Sequence, residues 1–238
     1  MVNIGMNVVL AVLLSLIIST FIGFLNGIII AELRMPALIV TFASQTIFAG
    51  YAYIICGGVP ISRMPESFLK LGQGYVGPIP VPVIVMVVIF AIGTFILNKT
   101  YFGRYFYALG GNEEAALLSG IKIKVVKCLV YSLSGLFAGI AGLVMLARAN
   151  TAQPNAGVGY EFDVITCVVL GGVSVNGGSG KMSNVIAGVL IIGVLSNGMV
   201  LMNISSYMQM VIKGIILLLA VGADCIQQMN LQKTKAIA

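Results

Sequence analysis

The feature that most narrows what this chain can fold into is an uncharged run from Asn7 to Ala31, closed by Glu32 and Arg34. A helix needs roughly 20 residues to cross about 30 Å of hydrocarbon at 1.5 Å per residue. Similar runs recur from Ala37 to about Gly57, from the Pro78-Pro80-Pro82 cluster to Asn98, from Cys128 to Ala147, from Ser183 to Met202 and from Tyr207 to Ala223. The first is too long for a signal-peptide core and reads as a true span.

Composition agrees. Only 8% of the 238 residues are charged and 59% are hydrophobic, where a soluble domain carries about 25% charge. Thirteen basic and seven acidic side chains cannot cover a soluble fold of this length. The expectation is an all-α polytopic membrane bundle of six to seven transmembrane helices, a single domain over residues 1–238. The seventh candidate, Phe162 to Val173, is short, carries Asp163 and ends in Gly171-Gly172. It is either a short tilted crossing or a re-entrant half-helix, which is tolerated where backbone lines a protein cavity.

Loop charge sets direction. Lys99, Arg104, Lys122, Lys124 and Lys127 against Glu113 and Glu114 place the 99–127 loop in the cytoplasm, and Lys233 and Lys235 place the C-terminal tail there too. An even number of crossings must separate the two, which favours counting the short segment. The same count puts Lys181 inside, Asn203 outside and the N-terminus outside. Upstream spans beyond this chain are the simplest expectation from that arrangement.

Without His there is no imidazole base, no Ser-His-Asp triad and no His-ligated metal. No catalytic constellation, metal or cofactor is expected. The net charge of +6 fits positive-inside loops and gives no reason to expect nucleic acid. Cys56, Cys128, Cys167 and Cys225 are widely spaced in or beside apolar runs and read as small buried hydrophobes. Val175 to Met182 resembles half of a phosphate-binding loop, but Val175 stands where Gly is needed and Met182 where a hydroxyl is needed. A flexible turn is the better account, and the tandem pairs Gly57-Gly58, Gly110-Gly111, Gly171-Gly172 and Gly177-Gly178 read as punctuation.

Polar groups in apolar surroundings tend to face a bundle interior or an aqueous path. Asn26, Gln45, Asn197 and Asn203 are of this kind, with Arg148, Glu161 and Asp163 at span edges. Neutral amides suit an uncharged polar cargo, and Asn26, Gln45 and Asn197 are candidate pathway residues; for any one of them an interhelical hydrogen bond is the plainer role. Glu161 and Asp163 are expected to pair with Arg148. Ser134, Gly135, Ala138, Gly139 and Gly142 would let a second helix approach closely.

Within the inner loop, Asn112 is a good N-cap, Glu113 and Glu114 complement the helix dipole, and Gly120 closes the helix after about two turns. A capped helix at the inner membrane face is either a docking element for a cytosolic partner or a plain surface helix. Local physics leaves both open.

The run from Gly103 to Ile121 resembles the cytoplasmic coupling loop of bacterial ABC-transporter permeases for monosaccharides of the ribose, xylose, arabinose and galactose type. Ala152 to Gly157, Gly159 to Asp163, Val169 to Ser174 and Asn197-Gly198 match the same family in order, and Tyr207 to Val221 is similar to the last helix of its ribose members. The resemblance implies a bacterial cell-membrane permease subunit of an ATP-driven importer for a neutral monosaccharide, a pentose such as ribose foremost. It implies three protein partners: an ABC ATPase subunit, an extracytoplasmic sugar-binding protein and a second permease subunit. It also implies that Gly110, Gly111, Asn112, Glu113, Glu114, Ala115, Ala116 and Gly120 form the ATPase contact. Relatives carry an N-terminal portion, with a Gly-Ile-Asp-Leu-Ser-Val-Gly-type motif, that this chain lacks. Three more spans would bring the N-terminus inside. The competing readings are another cargo (a hexose, a furanose-like signal molecule, a nucleoside or a branched-chain amino acid) and an ATP-independent secondary carrier, against which an absence of buried charge pairs is the argument.

Overall fold

A computed structural model describes the backbone of residues 5–237 and the side chains of residues 5–226. The side chains of Lys233 and Lys235, on which the placement of the tail rests, lie outside the described residues. Among the described residues, six helices are long and apolar enough to cross a membrane: α1 (Val8–Leu33), α2 (Ala37–Cys56), α4 (Val81–Lys99), α7 (Ile123–Ala149), α9 (Met182–Leu201) and the first part of α10 (Ser206–Ile237). They are the six runs that hydropathy picks out. Their large side chains point outward, with Ile55 80% and Val194 and Leu218 72% exposed. Water could not cover that surface cheaply; the hydrocarbon of a bilayer does so. The chain is a multi-pass membrane protein with an all-α fold.

Between the long helices lie α3 (Glu66–Gln73), α5 (Tyr101–Gly111), α6 (Glu113–Leu118) and α8 (Tyr160–Leu170), with four two-residue strands: β1 (Ile61–Ser62), β2 (Tyr75–Val76), β3 (Ile79–Pro80) and β4 (Thr151–Ala152). β1 pairs antiparallel with β4, Ile61 opposite Ala152, and β2 pairs with β3 through a tight turn. The chain falls into two compact units, one made of residues up to Phe106 with Glu114–Gly157, the other of Tyr107–Glu113 with residues from Val158 on.

The first unit is built on the pairing of α1 with α7. A Cβ on Gly23 would run into the Tyr131 carbonyl, one on Gly27 into the Cys128 backbone, one on Gly135 into the Ser19 carbonyl and one on Gly139 into the Ser19 side chain. Two small-xxx-small rows therefore face each other, and the backbones meet where lipid gives no hydrophobic drive for association. Of the α7 stripe expected from sequence, Gly135 meets Ser19 and Gly23, and Gly139 meets Ser19, whereas Gly142 faces open space and Gly27 packs on Cys128 and Tyr131. Lys124 reaches Glu32 at 2.6 Å near the α7 start, an exposed pair that adds little by itself. At the other end of α7, Phe68 of α3 is 2% exposed. There Gly72 lies against the Ala147–Arg148 backbone, Gln73 donates to the Arg148 carbonyl at 3.0 Å, and the Met64 N–H donates to the Asn150 side chain at 3.1 Å.

In the second unit α8 packs on α9 and α10. Gly171 admits the Asn184–Val185 backbone and Gly188 admits the Cys167 carbonyl. At 11 residues, α8 is about 16 Å long, half the hydrocarbon thickness. Cys167 is buried, Cys56 and Cys128 are half-buried, and Cys225 is exposed, which departs from the expectation of four buried thiols.

Candidate functional site

Three places in the molecule gather polar or conformationally special residues. The first, in the α1–α2–α7 unit, is a cleft of about 360 Å³, within the roughly 300–1,000 Å³ of small-molecule sites. It brings together Asn26 and Gln45, two of the candidate pathway residues, with Ser134 of the small-residue stripe, and adds Ser19, Thr41, Ser44 and Tyr131, which sequence reading did not single out. The Ser44 hydroxyl donates to the Asn26 side-chain oxygen, so Asn26 does form an interhelical hydrogen bond, and no residue lining the cleft carries a formal charge. The Ser19 and Thr41 hydroxyls donate to carbonyls of their own helices, and the lining holds amide and hydroxyl groups but no charged side chain. Asn197 is exposed on α9, in the other unit.

Asn203 belongs to none of this. It sits just beyond α9 at φ 60°, its N–H donating to the Val200 carbonyl while Ile204 N–H donates to Met199. That is the Schellman closure of a helix, with Asn in the left-handed position that Gly usually takes.

The second place is the inner loop. α6 ends as its sequence requires: Gly120 at φ 80°, its N–H donating to Leu117 and that of Ile121 to Ala116. Asn112, Glu113, Glu114 and Ala115 are exposed along this stretch, Leu118 is 89% exposed, and Ala116 is 4% exposed and holds the helix down. Gly110-Gly111 closes α5, and the break falls at Asn112. The other three Gly pairs mark ends or turns as well, with Gly57, Gly58, Gly172, Gly177 and Gly178 all at positive φ.

The third place is an ion pair that sequence reading missed. Asp163, in the first turn of α8, accepts from Lys213 of α10 at 2.6 Å, both side chains about one-quarter exposed. The expected partner of Asp163 was Arg148. Glu161, for which Arg148 was also expected, accepts from the N–H of Gly159, the residue just before α8, at 3.0 Å. A lone lysine is diluted in a long apolar run, which is why the Tyr207 to Ala223 span concealed it. The pair also removes the argument that no buried charges speak for a secondary carrier. Among the described residues no group of three His, Cys, Asp or Glu side chains could hold a metal ion.

These features belong to a helical membrane protein with a neutral polar cleft and a capped loop helix. The sequence pattern of the family described as branched-chain amino acid transport system / permease component matches residues 1–221. The chain belongs to this family. The permease is 46% identical over 222 residues to the ribose import permease protein RbsC of Bacillus subtilis, covering 92% of this chain and 69% of that protein. It is 41% identical over 227 residues to the RbsC of Escherichia coli, covering 94% and 71%. To the L-arabinose transport system permease protein AraH of Escherichia coli it is 45% identical over 203 residues, covering 85% and 62%. No solved structure matches the permease.

Proposed function

We propose that this permease is the membrane-spanning subunit of an ATP-driven importer whose cargo is a neutral monosaccharide, ribose foremost. The observation that carries this reading is the 46% identity to a ribose import permease across 92% of the chain. The uncharged lining of the Asn26–Gln45 cleft supports a cargo recognised through hydroxyl groups, and Asn197 completes the candidate pathway set. The permease performs no covalent chemistry. An ABC ATPase on the cytoplasmic side hydrolyses ATP, an extracytoplasmic sugar-binding protein delivers the cargo, and a second permease subunit completes the pathway.

In this reading residues 99–127 form the cytoplasmic coupling loop of a single transmembrane domain. Asn112, Glu113, Glu114 and Ala115 present the contact to the ATPase, Gly111 and Gly120 shape its two ends, Ala116 seats the helix, and Gly110 carries it on α5. Alternating access requires that ATP and the loaded binding protein prefer different states of the bundle, since a ligand shifts an equilibrium only by its differential affinity. The test is uptake of labelled ribose by proteoliposomes holding the permease with its ATPase and binding protein. Uptake that needs ATP and is competed by excess ribose supports the reading; ATP-indifferent uptake driven by an ion gradient overturns it in favour of a secondary carrier.

A further inference from the structure

Residues 173–181, between α8 and α9, are expected from sequence to be a slack turn, yet they are fastened at both sides. The turn is closed on itself by the Ser174 N–H donating to the Ser179 carbonyl at 3.1 Å and the Gly177 N–H donating to Ser174 at 3.1 Å. On one side, the Val175 N–H donates to the Asp224 carboxylate of α10 at 3.2 Å. On the other, the Tyr107 hydroxyl of α5 donates to the Gly180 carbonyl at 3.0 Å. Next to that bond, glycine backbones meet. A Cβ on Gly110 would strike the Gly178 backbone nitrogen, and a Cβ on Gly178 would strike the backbone of Gly111. Gly178 is doubly constrained, because its φ of 73° also lies in the left-handed region that favours glycine. The obstacles are backbone atoms, which cannot swing aside as the end of a side chain does.

Tyr107 and Gly110 stand at the end of α5 that runs into Asn112 and the coupling helix. The 173–181 turn in turn joins α8 to α9 and is tied to α10. We propose that this turn is the receiver of the coupling segment, and that Tyr107 and Gly178 are positioning residues through which displacement of the inner loop is delivered to α8, α9 and α10. The inference rests on the ATP-coupled reading above and adds the joint that reading lacks: a backbone-to-backbone seat, which passes on a push without the give of long side chains.

The experiment uses the permease reconstituted with its ATPase and binding protein, reading ATPase co-purification, ATP hydrolysis and ribose uptake in the same proteoliposomes. Gly178→Ala and Tyr107→Phe should keep co-purification and hydrolysis while the ribose moved per ATP falls, by roughly tenfold for Gly178→Ala, the range of an ordinary coupling free energy, and less for Tyr107→Phe. A purely structural defect would instead lower assembly and hydrolysis together. Because Gly178→Ala also strains the backbone, Tyr107→Phe, which removes only the hydroxyl bond to Gly180, is the second and gentler arm. Unchanged ribose per ATP in both variants overturns the inference and leaves the importer reading standing. Failure of the unaltered permease to take up ribose with ATP overturns both.

Discussion

A lysine inside an apolar helix is costly unless something neutralises it, and Asp163 does so for Lys213. The aspartate lies in the first turn of α8, where the helix dipole also favours its charge. Removing one partner leaves the other charged in a poorly solvated place, whereas removing both does not. Asp163→Ala is therefore expected to lower stability by about 1–3 kcal/mol, between the values for exposed and buried pairs. Asp163→Leu with Lys213→Leu should recover most of that loss, as read by thermal unfolding in detergent. A double variant whose loss equals the sum of the losses of the two single variants would show that the pair is not coupled. At this scale the sequence was legible where signals are local. Asn112 with Gly120 announced the α6 helix because caps act on their own neighbours, and Asn26 and Gln45 stood out as amides among aliphatics. Lys213 did not, because its meaning depends on a carboxylate fifty residues upstream. Asn203, noted only as a polar group among aliphatics, proves to be a left-handed cap, a role that depends on backbone conformation rather than composition.

Among the elements, the six long helices could be read directly. A segment in hydrocarbon must satisfy its own backbone, so length and apolarity decide it. α8 is the exception, being too short by itself to cross. The charge count that places the 99–127 loop and the tail on one side nevertheless asks that the chain change sides between Val158 and Lys181. Single cysteines replacing each of these in cells should label from opposite faces, Val158→Cys from outside and Lys181→Cys from inside, with membrane-impermeant maleimide as the probe. Labelling of both from one face would make α8 a re-entrant half-helix. The small residues of α7 were also visible, but their partner row on α1 was not. Helix neighbours far apart in sequence are chosen by packing, and hydropathy carries no information about packing.

For the molecule as a whole, transport asks for an input surface, a path and a means of joining them. Only the input can be tested by charge alone. Glu113 and Glu114 lie exposed at the start of α6, and Glu113→Lys with Glu114→Lys reverses the sign there without touching an apolar span. The double variant should insert normally and lose most ATPase co-purification, at least fivefold on the scale of ordinary interface charge effects. Normal insertion with undiminished co-purification would move the ATPase contact elsewhere. The whole-molecule reading came from sequence motifs in order, while the joint at Gly178 came only from the fold, because nothing in a Gly-Gly-Ser-Gly string says what it leans on.

The α1–α7 seam has a consequence for how the protein is made. α1 leaves the ribosome before α7, so the face carrying Gly23 and Gly27 has no mate until α7 follows, with α2 and α4 synthesised in between. At roughly 5–20 residues per second that vacancy lasts on the order of five to twenty seconds. During that interval a bare glycine groove must be sheltered by the insertion machinery or by lipid, so lesions in the seam should first show as nascent chains degraded during biogenesis, before any defect in the finished protein is seen.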